Sequence, residues 1–180
     1  MNRIALVTGG TRGIGRAIAD RLRAGGATVL VAARTMPDDL PTDSVVIADV
    51  GTAEGAASFG REALERLGGV DIVVHNAGGS DQVDGGVVAL TEHDWTSTFD
   101  LNLFAAVRLD RQLIPGMIER RSGHIVFIGS VAGYMPVPML AHYGLSPHLD
   151  VMVFSDQLGY AKPDDDDFDG DEASDATSPA

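Results

Sequence analysis

Thr8-Gly9-Gly10-Thr11-Arg12-Gly13-Ile14-Gly15 is the stretch that decides the fold. Before it, the apolar run at residues 3–8 reads as a short buried strand. After it, Ile14, Ala17, Ile18 and Leu22 recur at helical spacing, and Gly25-Gly26 ends that helix. A strand, a glycine-rich turn and a helix in this order bring free backbone N–H groups and the positive end of a helix dipole to one point. An anion such as a phosphate suits that point, and glycines let the backbone approach it closely.

The same alternation continues outward. Thr28–Ala33 reads as a second strand and residues 44–48 as a third. Ala53–Leu67 reads as a helix with Phe59, Ala63 and Leu67 on one face. Residues 70–75 form a fourth strand, and residues 94–120 a long helical region expected to bend near Pro115. Trp95 and Phe99, four apart on that helix, are expected in the core. Residues 124–128 make a fifth strand. These strands are apolar on both faces, as a parallel sheet covered by helices on each side requires. Strands alternating with helices imply right-handed crossovers. The expected fold is α/β, a three-layer doubly wound parallel sheet of the Rossmann type, with five strands.

The 180 residues suffice for one domain with a full core, and 44% of them are hydrophobic. Residues 1–160 are expected to be that domain. Within it, Ser146 and Pro147 suit the N-cap and first position of a short helix. Residues 161–180 are acidic, small and expected to be disordered. Eight acids, Asp164 to Asp167, Asp169, Asp171, Glu172 and Asp175, lie there; removing them from the formal −13 leaves −5. No basic stripe points to nucleic acid or an anionic membrane. With no leader-like segment and no apolar run near 18 residues, a cytoplasmic location is expected. No cysteine is present, and His75, His93, His124, His142 and His148 lack metal-ligand spacing, so no metal site is expected.

The unit opened by the glycine turn ends near Ala33, close to the ~30 residues of a dinucleotide-binding βαβ unit. An acid at the end of its second strand would bind a ribose 2′-hydroxyl and favour NAD. Arg34 stands there instead, and an arginine pairs with the 2′-phosphate of NADP. Arg12, inside the turn, supplies a second cation near that phosphate. NADP(H) is therefore expected over NAD(H).

With these residues in place, the sequence resembles the short-chain dehydrogenase/reductase family in its ~250-residue form, from about Arg3 to Ser146. Gly9, Thr11, Arg12, Gly13, Ile14 and Gly15 look like the family's cofactor turn. Asp49-Val50 matches the pair that contacts the adenine, and Asn76-Ala77-Gly78 the element bordering the cofactor. Asn102 falls where the family has its helix asparagine, and Ser130 where it has its catalytic serine. Tyr143 lies 13 residues later, the family's distance to its catalytic tyrosine. The resemblance implies hydride transfer between nicotinamide and a small carbonyl or alcohol substrate. Tyr143 would be the general acid–base, Ser130 would hold the substrate oxygen, and Asn102 would anchor a water in a proton relay. It also implies a homo-oligomer joined through helices around Asn102 and Tyr143.

Two departures stand against this pattern. The family's lysine four residues after the tyrosine is Pro147 here, and the chain's only lysine is Lys162. A cation one helical turn away lowers a tyrosine's pKa from about 10, so its loss bears directly on turnover. The second departure is that nothing after Asp150 resembles the family's last two strands, which would leave the fifth strand as an apolar sheet edge. A truncated or frame-shifted copy after Ser146 is the expected reason. A non-catalytic nucleotide-binding module or a non-functional fragment is the alternative.

Overall fold

The computed structural model describes residues 3–79 and 86–129. Its strands are β1 (Ile4–Thr8), β2 (Thr28–Ala33), β3 (Val45–Ile47), β4 (Ile72–His75) and β5 (His124–Phe127). All pair in parallel, in the order β3-β2-β1-β4-β5. The register sets Leu6 against Leu30 and Val73, so one side chain in two along each strand meets the same layer.

That alternation builds a core on each face of the sheet. Ala5, Val7, Val29, Val31 and Val74 point to one face, where Ala19, Ile18 and Leu22 of helix α1 (Gly13–Ala24) cover them. Leu6, Leu30, Val46 and Val73 point to the other, beneath α2 (Ala53–Leu67) and α4 (Ala105–Arg120). Phe59 of α2 and Leu109 of α4 are among the largest fully buried side chains there. Burial of a side chain of that size stabilises the fold by about 1.5–3 kcal/mol. This is the doubly wound Rossmann arrangement expected from the sequence. The sheet reverses its winding between β1 and β4, which opens a crevice at their carboxyl ends.

The long helical region departs from expectation. It starts at Glu92, two residues early, with Thr91 and Asp94 forming a reciprocal capping box for α3 (Glu92–Phe99). The interruption lies at a π turn, Asp100–Phe104, and not at Pro115, which sits inside α4. Asn102 explains the position. Its Nδ2 donates to the Thr98 carbonyl at 2.9 Å, taking an acceptor from the helical ladder. Pro115 removes only its own N–H and leaves the helix intact through to Arg120.

Trp95 and Phe99 are also not core residues. They are 41% and 49% exposed and stack on each other with centroids 6.5 Å apart. His75 is buried, bonded through Nε2 to Asp110 at 2.8 Å and stacked on Phe127. Among the described residues β5 is a sheet edge with Ile125, Val126 and Phe127 exposed. No described helix is long and apolar enough to cross a membrane. The expected tail at residues 161–180 and the expected helix after Ser146 lie outside the described residues.

Candidate functional site

At the crevice the loops leaving β1, β2, β3 and β4 enclose a cavity of about 990 Å³. The β1–α1 turn contributes Gly9, Thr11, Arg12, Gly13, Ile14 and Gly15. Arg34 enters after β2, Asp49 and Val50 after β3, and Asn76, Ala77 and Gly78 after β4. All twelve residues singled out as cofactor-binding thus line one space. Gly9 and Gly13 have φ of +65° and +55°, values at which a side chain would be strained, and they turn the chain into α1. Gly15 is buried where an added Cβ would overlap the Asn76 amide and the Gly9 carbonyl, so it lets α1 sit against both the β1 and the β4 loops.

Side-chain hydrogen bonds hold these loops together. The Thr8 hydroxyl accepts from the Asn76 and Ala77 amides at 3.0 and 2.9 Å. Asn76 Nδ2 donates to the Thr8 and Gly9 carbonyls at 3.0 and 3.2 Å. The two residues weld the β1 and β4 loops across the switch point. After β3, Asp49 Oδ1 accepts from the Gly51 amide at 3.0 Å. Thr52 accepts from the Gly55 amide at 2.9 Å and so caps α2.

Asn102 does not line the cavity. Its Oδ1 accepts from the Gly79 amide at 3.0 Å, and its Nδ2 donates to the Gly79 and Thr98 carbonyls. It therefore ties the loop after β4 to the π turn. Ser130 and Tyr143 lie outside the described residues, as does Pro147.

The charged groups fall into two classes. Arg16 is committed to Asp20 and Asp39, both at 2.8 Å, and these bonds raise its pKa above the ordinary guanidinium value. Arg12 and Arg34 are exposed on the cavity, and neither guanidinium has a hydrogen bond or ion pair among the described residues. Two unpaired cations beside a glycine turn have the chemistry that suits an anion. No group of metal-binding side chains occurs among the described residues.

One wall of the cavity is a part of the site that sequence reasoning missed. His93, Thr96, Ser97, Asp100 and Leu101 of α3 and the π turn also line the cavity. Their spacing of three to four residues puts them on one helical face, a signal that the sequence does carry. Thr8 belongs to the glycine motif, but only the structure gives it a role: it is buried and bonded to two amides.

A model of the short chain dehydrogenase family matches residues 3–154. Mouse "Dehydrogenase/reductase SDR family member 4" is 34% identical over 155 residues, which cover 81% of this chain and 55% of that protein. A short-chain dehydrogenase from Streptomyces avermitilis superposes with a TM-score of 0.70 at 36% identity, over 81% of this chain and 56% of the other. A metagenomic short-chain oxidoreductase solved in complex with NADP superposes with a TM-score of 0.69 at 30% identity, over 81% and 71%. The chain therefore spans about half the length of the mouse relative.

Proposed function

The chain belongs to the short-chain dehydrogenase/reductase family, and on that premise we propose that it binds NADP(H) in the crevice cavity and acts as an oxidoreductase on a small carbonyl or alcohol. The observation that carries this reading is the pairing of the glycine turn with two guanidiniums, unpartnered among the described residues, in one cavity. The cavity, at about 990 Å³, is also of a size to take a dinucleotide.

In this reading the amides that begin α1 hold the pyrophosphate. Arg12 and Arg34 hold the 2′-phosphate as charge-assisted donors. Asp49 keeps the oxygen not bonded to Gly51 for the adenine. The bound nicotinamide supplies or accepts the hydride. Tyr143 gives a proton to the substrate oxygen as a carbonyl is reduced, and Ser130 donates a hydrogen bond to that oxygen. Both amide protons of Asn102 are committed to carbonyls, so any water it anchors in a proton relay is held through one of its oxygens.

Pro147 favours a second reading, a nucleotide-binding protein without turnover. An unassisted tyrosine is only about 0.1% phenolate at pH 7. Losing a neighbouring cation there costs on the order of 10²–10⁴ in rate. Calorimetry with NADPH followed by NADPH oxidation against a carbonyl panel separates the two. Under the leading reading Pro147→Lys raises turnover toward the same ~10²–10⁴. A folded protein that binds NADPH but gains nothing from Pro147→Lys supports the second. A folded protein with no heat from millimolar NADPH refutes both.

A further inference from the structure

One described arginine stands outside the cavity yet bonds to two segments of its wall. Arg108, in the first turn of α4, sends Nη1 to the Gly51 carbonyl at 3.3 Å and Nη2 to Asp100 Oδ1 at 2.5 Å. Its guanidinium also lies 5.5 Å from the centre of the Phe104 ring. Gly51 and Asp100 both line the cavity, but they belong to different crossovers, one after β3 and one on the π turn. The two segments meet: a Cβ at Gly51 would sit 3.6 Å from Leu101 Cδ1. On the nucleotide reading above, this is the adenine end, because Asp49 bonds the Gly51 amide and so moves with it.

We propose that Arg108 is a positioning residue that fixes the adenine end of the cavity by bracing the Asp49–Thr52 loop against the π turn. The geometry suits arginine in particular. A rigid planar fork reaches two acceptors at once, whereas an ammonium on a flexible stem offers no such fixed pair. A π turn is a local irregularity of the helical ladder of the kind found at functional sites. An exposed ion pair by itself contributes little. Here the second arm ends on a backbone carbonyl in another loop, and both partners are only partly exposed.

The experiment compares the full chain with Arg108→Met and Arg108→Lys. Three probes are titrated by calorimetry or NMR: NADPH, 2′,5′-ADP and reduced nicotinamide mononucleotide. The methionine variant is expected to bind NADPH and 2′,5′-ADP about tenfold more weakly, the worth of one charge-assisted bond, with nicotinamide mononucleotide within about twofold. Lysine is expected to recover part of the loss, since it keeps the charge and one bond. Should the methionine variant fail to fold, the ratio of 2′,5′-ADP to mononucleotide affinity in the lysine variant decides. A ratio equal to that of the unmodified chain overturns the proposal, and so does an equal loss of both probes. If the unmodified chain does not bind 2′,5′-ADP, the nucleotide reading itself fails and this proposal with it. Normal binding with indifferent variants sinks the brace alone.

Discussion

Replacing Arg12 and Arg34 together by methionine should abolish discrimination between NADPH and NADH without abolishing dinucleotide binding. Methionine keeps most of the aliphatic stem and removes the charge. Both guanidiniums are exposed, so the interaction with a phosphate lies between bulk water, about 1 kcal/mol at 4 Å, and a protein surface, about 4 kcal/mol. A charge-assisted hydrogen bond is worth about 1.5–3 kcal/mol net. Exposure argues for the lower end, about 1.4 kcal/mol or tenfold for each arginine. Two cations on one phosphate are coupled, so the double variant should lose at least about tenfold and at most about 100-fold for NADPH. NADH, lacking the phosphate, should bind unchanged. The NADPH affinity should also fall more steeply with salt than that of NADH, and the double variant should lose that difference. Arg16 is the internal control: Asp20 and Asp39 already hold it, and Arg16→Met should leave the cofactor ratio alone. Calorimetric titration of the parent, the double variant and Arg16→Met with both cofactors decides the matter. Equal losses for NADPH and NADH, or an unaltered ratio in the double variant, would refute the assignment of the two arginines.

Two further outcomes follow from the packing and the caps. Gly10→Ala would place a Cβ 2.6 Å from Val31 Cγ1, and Val31 is fully buried, so the clash should cost about 1–3 kcal/mol and lower the unfolding midpoint. A Gly10→Ala protein as stable as the parent would contradict the turn geometry. Thr91, through its hydroxyl and its amide, holds the Asp94 carboxyl below its ordinary value of 3.8. A depressed carboxylate stabilises the fold fully above its unfolded pKa and loses that contribution as pH falls through the folded pKa. The difference in unfolding midpoint between the parent and Asp94→Asn should therefore be constant near neutrality and close below pH 3.8; a difference that widens on acidification would contradict the capping box.

The strands were legible because each is apolar on both faces, and Val-Leu-Val of β2 and Ile-Val-Val of β4 do flank β1 in a parallel sheet. The glycine turn and the residues after each strand were legible for a related reason. In a parallel sheet every strand's carboxyl end reaches the same edge, so residues far apart in sequence converge there. What escaped was set by tertiary partners. Nothing in Phe99-Asp100-Leu101-Asn102-Leu103-Phe104 announces a π turn until Gly79 is known to lie within reach of Asn102. Proline has a strong local signature and drew the expected bend to Pro115, although an asparagine with a distant partner decided the matter. Trp95 and Phe99 share a helical stripe, but α3 turns His93, Thr96 and Ser97 to the cavity, and the aromatic pair is left partly exposed.

The motif residues divide by what their side chains touch, and the division bears on how the site recognises a ligand. Thr8, Asn76 and Asn102 are bonded to the backbone of neighbouring loops, and Thr52 and one oxygen of Asp49 to backbone of their own loop and the start of α2. Side chains so engaged shape the cavity before anything enters it. Binding then need not order those loops, and the entropic cost of doing so is absent from the affinity. On the proposed reading, recognition would fall to groups that the frame does not use. These are the amides at the start of α1, the second oxygen of Asp49 and the two guanidiniums left unpaired among the described residues. A few exposed contacts on a preformed frame can therefore set selectivity, while substitutions in the frame register first as lost stability.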